Sequence, residues 1–470
     1  MDTTGYDYDL IVVGAGPVGE NVADYAARRG LRTAVVESEL VGGECSYWAC
    51  VPSKALLRSG HVLRAARRVA GAREAVTGSL DAAAVLARRT SFTDGWADDG
   101  QVAWLKSAGI DLVRGRGRIT GPRTVQVGDQ VLTAAAVALA TGSVPVVPPI
   151  PGLAAAAPWG TRDATAADHV PARLVVLGGG VAGVELAQAY ASLGSRVTVL
   201  SVSALLDREE PFAGEHLAAA LAADGVDVRL HVTVTRVVRG ADGVVTVTLE
   251  DGSVVEAEQI LVTTGRRPNT EDLGLDTLGL SSPGGLRVDE TLRVDGTDWL
   301  YAVGDVNGRA LLTHQGKYQA RAAGEAIAAR LRGTPLDGGP WGAHAATADH
   351  AAVPRVVFTD PAVASVGLTE AHARENGLSV RTVEYDLGSV SGAALEADDY
   401  TGRAKLVVDA DRHVVLGATF VGQDVAELLH SATVAIVGEV TIDRLWHAVP
   451  AYPTISEIWL RLLEAYGRPS

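Results

Sequence analysis

The sequence predicts an α/β protein with two Rossmann-like dinucleotide-binding domains followed by a C-terminal α+β domain. Three observations predict it. A strand, a glycine-rich turn, a helix and a second strand occur in that order twice, beginning at Asp9 and again at Arg173. Hydrophobic residues make up 47% of the 470 and aromatic ones only 5%, which suits layers built from Ala, Val and Leu. From about Ala345 the alternation gives way to short strands bounded by turn residues.

The first pattern reads Asp9-Leu-Ile-Val-Val13, then Gly14-Ala-Gly16-Pro-Val-Gly19, a helix to about Arg29, the strand Thr33-Ala-Val-Val36, and Glu37. The second reads Arg173-Leu-Val-Val-Leu177, then Gly178-Gly-Gly180-Val-Ala-Gly183, a helix to about Leu193, the strand Arg196-Val-Thr-Val-Leu200, and Ser201. In both, the residue closing the second strand lies 18 positions after the third glycine, so the two sites are comparable. The glycines permit a tight turn and let a pyrophosphate approach backbone N–H groups at a helix N-terminus, where the dipole favours negative charge. The closing residues differ chemically. Glu37 can accept hydrogen bonds from an adenosine ribose and would repel a 2′-phosphate, so the first site is expected to hold a dinucleotide without one. Ser201 carries no charge. A 2′-phosphate is admitted there, with Arg208 or Arg196 as its expected cation, so NADPH is the expected second dinucleotide and NADH the alternative.

Just after the first pattern, Gly42 to Lys54 reads Gly-Gly-Glu-Cys-Ser-Tyr-Trp-Ala-Cys-Val-Pro-Ser-Lys, and Cys45 and Cys50 are the only cysteines in the chain. On a regular helix two residues five apart have Cα atoms about 8.6 Å apart, beyond the roughly 7 Å reach of a disulfide, so a bond between them requires an irregular backbone. Ala49 and Pro52 allow that distortion. A thiol pair beside a dinucleotide turn is placed to exchange electrons with a bound cofactor. Tyr47 and Trp48 between the cysteines either shape a substrate mouth or pack the distorted segment. The net charge of −15 argues against nucleic-acid binding and against attraction to anionic membranes. The polar, acidic stretch Met1 to Tyr8 has neither the basic flank nor the apolar run of a secretion signal, and a cytoplasmic location is expected. No metal site is expected. Basic charge is almost wholly Arg, with four Lys in the chain, so Lys54 inside the cysteine motif stands out.

Three more apolar strands end in turns that expose backbone: Val137 to Thr141-Gly142-Ser143, Ile260 to Gly265-Arg266-Arg-Pro268-Asn269, and Leu300 to Gly304-Asp305. Farther on, Val356 to Gly367 reads as a strand pair, Lys405 to Val408 and Val414 to Phe420 as strands, and Val425 to Val437 and Ser456 to Ala465 as helices. Taken with the cysteine motif and its Pro-Ser-Lys ending, essentially the whole chain resembles the class I flavin-dependent pyridine nucleotide-disulfide oxidoreductases. That group holds lipoamide dehydrogenase, glutathione reductase, mycothione reductase and mercuric reductase.

The resemblance implies FAD on the first motif and NAD(P)H on the second. It divides the chain into an FAD-binding domain (1–150), an NAD(P)H-binding domain (151–280), a segment returning to the FAD domain (281–344) and an interface domain (345–470) through which two chains form a homodimer. Gly14, Gly16 and Gly19 would meet the FAD pyrophosphate and Glu37 its ribose. Gly115 would approach the adenine side, Thr141 and Gly142 would close over the flavin nucleotide, and Asp305 would bond the ribityl or pyrophosphate region. Gly178, Gly180, Gly183, Ser201, Arg208 and Gly265 form the second cofactor set. Cys50 would be the thiol against the flavin and Cys45 the interchange thiol. Lys54 would lie by the flavin N5, paired with Glu185, since a cation there stabilises the anionic reduced flavin.

One departure is chemical. The family's disulfide reductases keep a histidine with a glutamate five positions later as the acid/base for the interchange thiol. Here Tyr452 occupies the histidine position and Glu457 is retained. An unperturbed phenol, with a pKa near 10, is about one part in a thousand ionised at pH 7, which sets roughly 4 kcal/mol against its use as a base. Tyr452 is therefore expected to donate a proton or touch substrate, with His447 the less favoured substitute. Three readings stay open. One is a dihydrolipoyl dehydrogenase-like reductase of a small disulfide or dithiol. Another is an NAD(P)H-dependent flavin reductase of a quinone or metal ion. The third is a redox-sensing flavoprotein. Mercuric reduction as usually performed needs a second thiol pair, and this chain has no other cysteine.

Overall fold

The computed structural model of the chain describes residues 5–280 and 284–468. The start of the acidic N-terminal stretch and of the return segment expected from 281 lie outside them. The chain folds into two compact units, each assembled from separated segments.

The first unit comprises Met1–Pro52, Thr90–Val146 and Arg266–Asp349. Its strand Tyr8–Val13 is buried along nearly its whole length, as expected of a strand covered on both faces of a parallel sheet. It pairs in parallel with Thr33–Glu37 on one side and with Gln130–Leu139 on the other, and Ile110–Arg114 continues the sheet beyond Thr33–Glu37. Gln130–Leu139 serves two sheets: its start is antiparallel to Thr124–Val127, and its end is also parallel to Leu300–Ala302. That last pairing brings the return segment back beside the first strand. The helix Pro17–Arg28 buries Val22, Ala23 and Ala26 against the 20-residue helix Thr313–Arg332, in one cluster with Ala320, Ala323 and Ile327. At Gly324 an added Cβ would come within 2.7 Å of Tyr25, so a glycine is what lets the two helices close. The chain rejoins this unit at Arg266, ahead of the expected 281, because Arg266–Pro268 pairs antiparallel with Ser143–Pro145.

The second unit comprises Ser53–Arg89, Val147–Gly265 and His350–Ser470. Its parallel strands lie in the order Asp227–Arg229, Arg196–Leu200, Arg173–Leu177, Gln259–Val262, with a three-stranded antiparallel sheet formed by Val234–Arg239, Val245–Leu249 and Val254–Ala257. A five-stranded antiparallel sheet runs Pro354–Val357, Ala362–Gly367, Val415–Gly422, Arg403–Asp409, Val380–Asp386. The last of these strands and the helix Glu370–Glu375 had no sequence expectation, since Val380 to Asp386 alternates only weakly and carries two acids and an arginine. Val357, Val363 and Val421 share a core with Val176, Leu186 and Leu217, so the second nucleotide fold and the C-terminal sheet bury one another's apolar faces.

A buried cation ties the same two parts together. Lys405 Nζ lies 2.9 Å from Glu210 Oε2 and 2.7 Å from Glu370 Oε2, while Glu210 accepts the Glu370 N–H at 2.7 Å. Lys405 and Glu210 are both buried. Removing one partner of such a pair strands the other charge in a medium that solvates it poorly. Lys405→Ala is expected to cost about 3–5 kcal/mol in equilibrium denaturation, and Lys405→Met combined with Glu210→Gln is expected to recover most of it. A Lys405→Ala variant of unchanged denaturation midpoint would show that water reaches Glu210.

Candidate redox and nucleotide sites

In the first unit the glycine turn is dictated by crowding. Gly14 has φ +99°, and a Cβ on Gly19 would lie 1.8 Å from the Gly14 carbonyl oxygen. Only hydrogen fits there, so the helix Pro17–Arg28 can begin directly over the strand end. A Cβ on Gly16 would meet the Gly43 Cα at 3.9 Å, ordinary van der Waals contact, so the turn and the cysteine segment are neighbours there. Glu37 Oε2 accepts the Ala15 N–H at 2.8 Å and Oε1 accepts the Glu39 N–H at 2.7 Å, fixing the carboxylate at the strand end beside the turn. Gly115 donates its N–H to the Glu37 carbonyl at 2.9 Å, so it lies at the same corner. Thr141 donates its hydroxyl to the Asn269 carbonyl at 2.8 Å, and Gly142 accepts the Asn269 N–H at 2.9 Å, with open space around Gly142.

Asp305 Oδ2 accepts from the Ser143 hydroxyl at 2.6 Å, Arg266 Nε donates to Ser143 Oγ at 2.8 Å, and Arg266 Nη2 reaches Glu44 Oε2 at 2.5 Å. Burial pushes the Asp305 carboxyl up, while Ser143 and Arg266 act against the shift. Ser143, Arg266 and Glu44 were not anticipated as site residues. Their signal is the antiparallel pairing of Ser143–Pro145 with Arg266–Pro268, visible only once the chain is folded.

The cysteine segment is as irregular as its spacing requires. Gly42, at φ +110°, donates its N–H to the Ala15 carbonyl at 2.7 Å and opens the helix Gly43–Tyr47. Trp48 breaks that helix at φ −138°, ψ 0°, and a second one, Cys50–Arg67, begins at the second cysteine. The cysteines thus stand on different helices. Tyr47 is buried, its hydroxyl donating to the Ala97 carbonyl at 3.2 Å and its carbonyl accepting from the Trp96 indole at 3.1 Å. Its ring centroid is 5.6 Å from that of Trp48, so of the two expectations for these aromatics, packing of the break describes Tyr47. Neither cysteine forms a disulfide in this structure, and Cys50 Sγ is hydrogen-bonded to Thr313 Oγ1 at 3.3 Å. The hydrogen bond with Cys50 pushes the Cys45 thiol far up, burial adds to it, and Thr313 and Lys317 act in the opposite sense.

In the second unit Lys54, one turn after Cys50 in the same helix, has Nζ 2.6 Å from Glu185 Oε2. Glu185 is buried in the helix Val181–Ser192, and its other oxygen accepts the Phe358 N–H at 2.8 Å. The Phe358 ring lies 4.9 Å from the same ammonium. Phe358 closes this triangle, and its residue type gave no signal in the sequence. The second glycine turn repeats the first: a Cβ on Gly183 would lie 2.1 Å from the Gly178 oxygen, while Gly180 and Gly265 face open space. Ser201 is buried at the end of its strand, and Arg208 is exposed with no ion pair among the described residues. Arg196 corrects one expectation. It opens the strand that Ser201 follows, about 16 Å away at strand rise, and so cannot serve the same phosphate.

Tyr452 is 75% exposed. Glu457 is buried and gives Oε1 to Arg461 at 2.6 Å. Within the chain, then, the glutamate is engaged by an arginine four residues on rather than by Tyr452. His447 is exposed. Among the described residues no group of three or more His, Cys, Asp and Glu is arranged to hold a metal ion, and no helix is long and apolar enough to cross a membrane.

Comparison with known proteins agrees with this arrangement. The family model described as pyridine nucleotide-disulphide oxidoreductase matches residues 8–326, and that of its dimerisation domain matches 353–462. A mercuric reductase of Shigella flexneri is 33% identical over 461 residues, 95% of this chain and 79% of that protein. A dihydrolipoyl dehydrogenase of Chlorobaculum tepidum is 34% identical over 471 residues, 97% of this chain and 96% of that protein. Among solved structures, the HOCl-induced flavoprotein disulfide reductase RclA of Escherichia coli matches with TM-score 0.82 at 25% identity, over 97% of this chain and 99% of that one. A Cu(II) complex of a mutant of the same protein matches with TM-score 0.83 at 25% identity, over 98% and 99%. Twin nucleotide turns, a broken dithiol helix and these likenesses along its length make the chain a member of the class I pyridine nucleotide-disulphide oxidoreductase family, FAD-binding flavoproteins that use NAD(P)H.

Proposed function

We propose that the chain works as a homodimer that carries electrons from NADPH to the Cys45–Cys50 pair and on to a small disulfide or dithiol substrate. The observation that carries this reading is the dithiol itself. The chain's only two cysteines start from separate helices beside the first nucleotide turn, with Cys50 hydrogen-bonded to Thr313 and the Cys45 thiol pushed up by Cys50 and by burial. Bound FAD would supply the conversion of a hydride equivalent from the nicotinamide into the two electrons that open a disulfide.

The chain's own groups have distinct tasks in this reading. Gly14, Gly16 and Gly19 receive the pyrophosphate, Glu37 the adenosine ribose with Gly115 beside it, and Thr141, Gly142 and Asp305 the flavin nucleotide. Asp305 is ordered for that by Ser143 and Arg266. Cys50 faces the flavin, and Lys54, held by Glu185, supplies a fixed cation. Gly178, Gly180, Gly183 and Gly265 receive NADPH, with uncharged Ser201 and the free guanidinium of Arg208 tolerating a 2′-phosphate. Cys45 exchanges with substrate. Exposed Tyr452 donates a proton or touches substrate at an active site completed by the partner chain, with Glu457 ordering that segment through Arg461.

A second reading is favoured by the relatives: a metal ion as acceptor, given the mercuric reductases and the Cu(II) complex. A reduced thiol pair is itself a soft ligand suited to such ions.

Reduction with one equivalent of NADPH is expected to give long-wavelength absorbance from the Cys50 thiolate beside the flavin, absent in Cys50→Ala. Cys45→Ala is expected to keep that absorbance while losing at least about 100-fold in turnover with lipoamide, glutathione, mycothiol or coenzyme A disulfides. Undiminished turnover of the best of these by Cys45→Ala would remove the disulfide reading, and Cu(II) or Hg(II) reduction that needs both cysteines would put the metal reading in its place. The ratio of kcat/KM for NADPH over NADH is expected above one and reduced in Arg208→Ala; a wild-type ratio below one rejects the assignment of Ser201. Tyr452→Phe is expected to slow the acceptor half-reaction and leave reduction by NADPH intact, and an unaltered pH profile would make that tyrosine a packing group.

A further inference from the structure

Lys54 is held by Glu185, and what holds Glu185 lies one layer deeper. The turn from Phe358 to Asp360, which joins the strands Pro354–Val357 and Ala362–Gly367, meets the helix Val181–Ser192 at two points. Phe358 donates its N–H to Glu185 Oε1 at 2.8 Å. Two residues on, Asp360 donates its N–H to Gln188 Oε1 at 2.8 Å, and its carbonyl accepts from Gln188 Nε2 at 2.9 Å. Glu185 and Gln188 are three apart and share one face of their helix. Gln188 is fully buried, so a single side-chain amide answers both backbone groups of Asp360.

The Asp360 carboxylate meets the far end of the helix that carries Lys54. Arg68 Nη1 lies 2.8 Å from both carboxylate oxygens, Arg64 Nε donates to Oδ2 at 3.2 Å, and Gln423 Nε2 reaches Oδ1 at 3.3 Å. Arg64 stands just under three turns after Lys54 on the helix Cys50–Arg67. The two helices approach closely there: a Cβ on Gly60 would lie 2.7 Å from Ser192 Oγ, and Arg64 Nη1 donates to the same oxygen at 2.9 Å. Three elements therefore form one frame, pinned at Asp360 and presenting the ammonium at its other end. The pinned end is sealed, with the Asp360 side chain 9% exposed, whereas that of Lys54 remains 34% exposed. A carboxylate drawn out of water by two arginines adds little net stability over an apolar filling, because desolvation offsets the attraction, but it accepts only one arrangement of its partners.

We propose that Asp360 is a positioning residue for Lys54: pinned by Gln188, Arg64 and Arg68, it sets where Phe358 meets Glu185 and thereby keeps the Lys54 ammonium in one place. This rests on the reading of Lys54 as the cation that acts on bound flavin. With the turn seated, the Phe358 N–H occupies Glu185 Oε1, Lys54 takes Oε2 at 2.6 Å, and the Phe358 ring lies 4.9 Å from the ammonium. With the turn loosened, Glu185 loses its backbone donor and the lysine stem regains rotamer freedom. An ordered charge stabilises a nearby anion more than one that wanders, since Coulomb attraction depends on keeping the distance short. Asp360 makes and breaks no bond, and acts only through Lys54.

Two readouts test this on the full-length protein. Without FAD, acetylation of Lys54 by acetic anhydride is followed by mass spectrometry, with exposed Lys106 as the internal reference. Asp360→Asn is expected to raise the Lys54 rate about 3-fold relative to Lys106, and Asp360→Glu to restore part of the protection. With FAD bound, a Cys50→Ala background leaves electrons on the flavin, whose reduction is titrated against a redox dye. Lys54→Met is expected to shift that equilibrium toward oxidised flavin by about 10-fold, and Asp360→Asn in the same direction by about 3-fold. Added to Lys54→Met, Asp360→Asn is expected to give no further shift, while its cost in thermal stability stays the same in both backgrounds. Gln188→Met loosens the turn from its other anchor and is expected to reproduce both effects, which covers an Asp360 variant that does not fold. Unchanged acetylation, or a flavin equilibrium that Asp360→Asn and Gln188→Met leave unmoved or move equally with and without Lys54, makes Asp360 a structural group only and overturns the proposal. A Lys54→Met protein with the parent flavin equilibrium removes the role of Lys54 itself, and the pin with it.

Discussion

One constraint on which the first unit depends is the approach of one glycine backbone to another: a Cβ on Gly43 would lie 2.8 Å from the Gly16 Cα. At that spacing no side chain can stand between the nucleotide turn and the cysteine helix, and the turn itself holds the helix in place. Ala15, between Gly14 and Gly16, gives its carbonyl to the Gly42 N–H and its own N–H to Glu37. Three parts of the site are thereby tied to a single residue: the glycine turn, the Glu37 carboxylate and the segment that carries the first cysteine. A site assembled from backbone contacts is more rigid than one assembled from long side chains, because little rotamer freedom is left to lose or regain.

Charge is used sparingly and with a consistent logic. Arginines take the surface pairs, while three of the four lysines are drawn inward. Lys405 meets three glutamates, Glu210, Glu370 and Glu384, and Lys54 meets one glutamate and an aromatic face. A compact ammonium in such surroundings is expensive to desolvate, so each lysine is worth keeping only where something needs a point charge. At Lys405 the need is structural. At Lys54 the partners leave the ammonium ordered and still partly exposed, the condition for acting on a bound group. Lys317 has no contact partner among the described residues, and its charge is available to whatever ionises nearby.

The two cysteines are chemically unequal because the backbone between them is broken. Trp48 ends one helix and Cys50 starts the next, so Cys50 meets the Thr313 hydroxyl while the hydrogen bond with Cys50 and burial push the Cys45 thiol up. An unbroken helix would separate the sulfurs beyond bonding distance and erase this asymmetry. Tyr47 stabilises the break through its hydroxyl and carbonyl, which accounts for a bulky aromatic inside a redox motif.

Much of this was legible in the amino-acid order, because it is local. Two glycine turns with their flanking strands, the acid and the serine that close them, and the need for a break between Cys45 and Cys50 all follow from spacing and steric rules that act over a few residues. Most strands of the C-terminal sheet were also legible, but not the short helix Glu370–Glu375 or the strand Val380–Asp386, whose edge position permits polar residues that blur the alternation. The reach of Arg196 was misjudged because spacing in sequence says nothing about which end of a strand a residue occupies relative to a ligand. What only the tertiary structure decided is which distant groups meet: Thr313 with Cys50, Phe358 with Glu185, and Arg266 with Ser143 and Glu44. These meetings depend on loop closure between segments tens to hundreds of residues apart. Local propensity carries no information about them, and the hydrogen bonds, neighbouring charges and burial they bring determine which groups shift in charge.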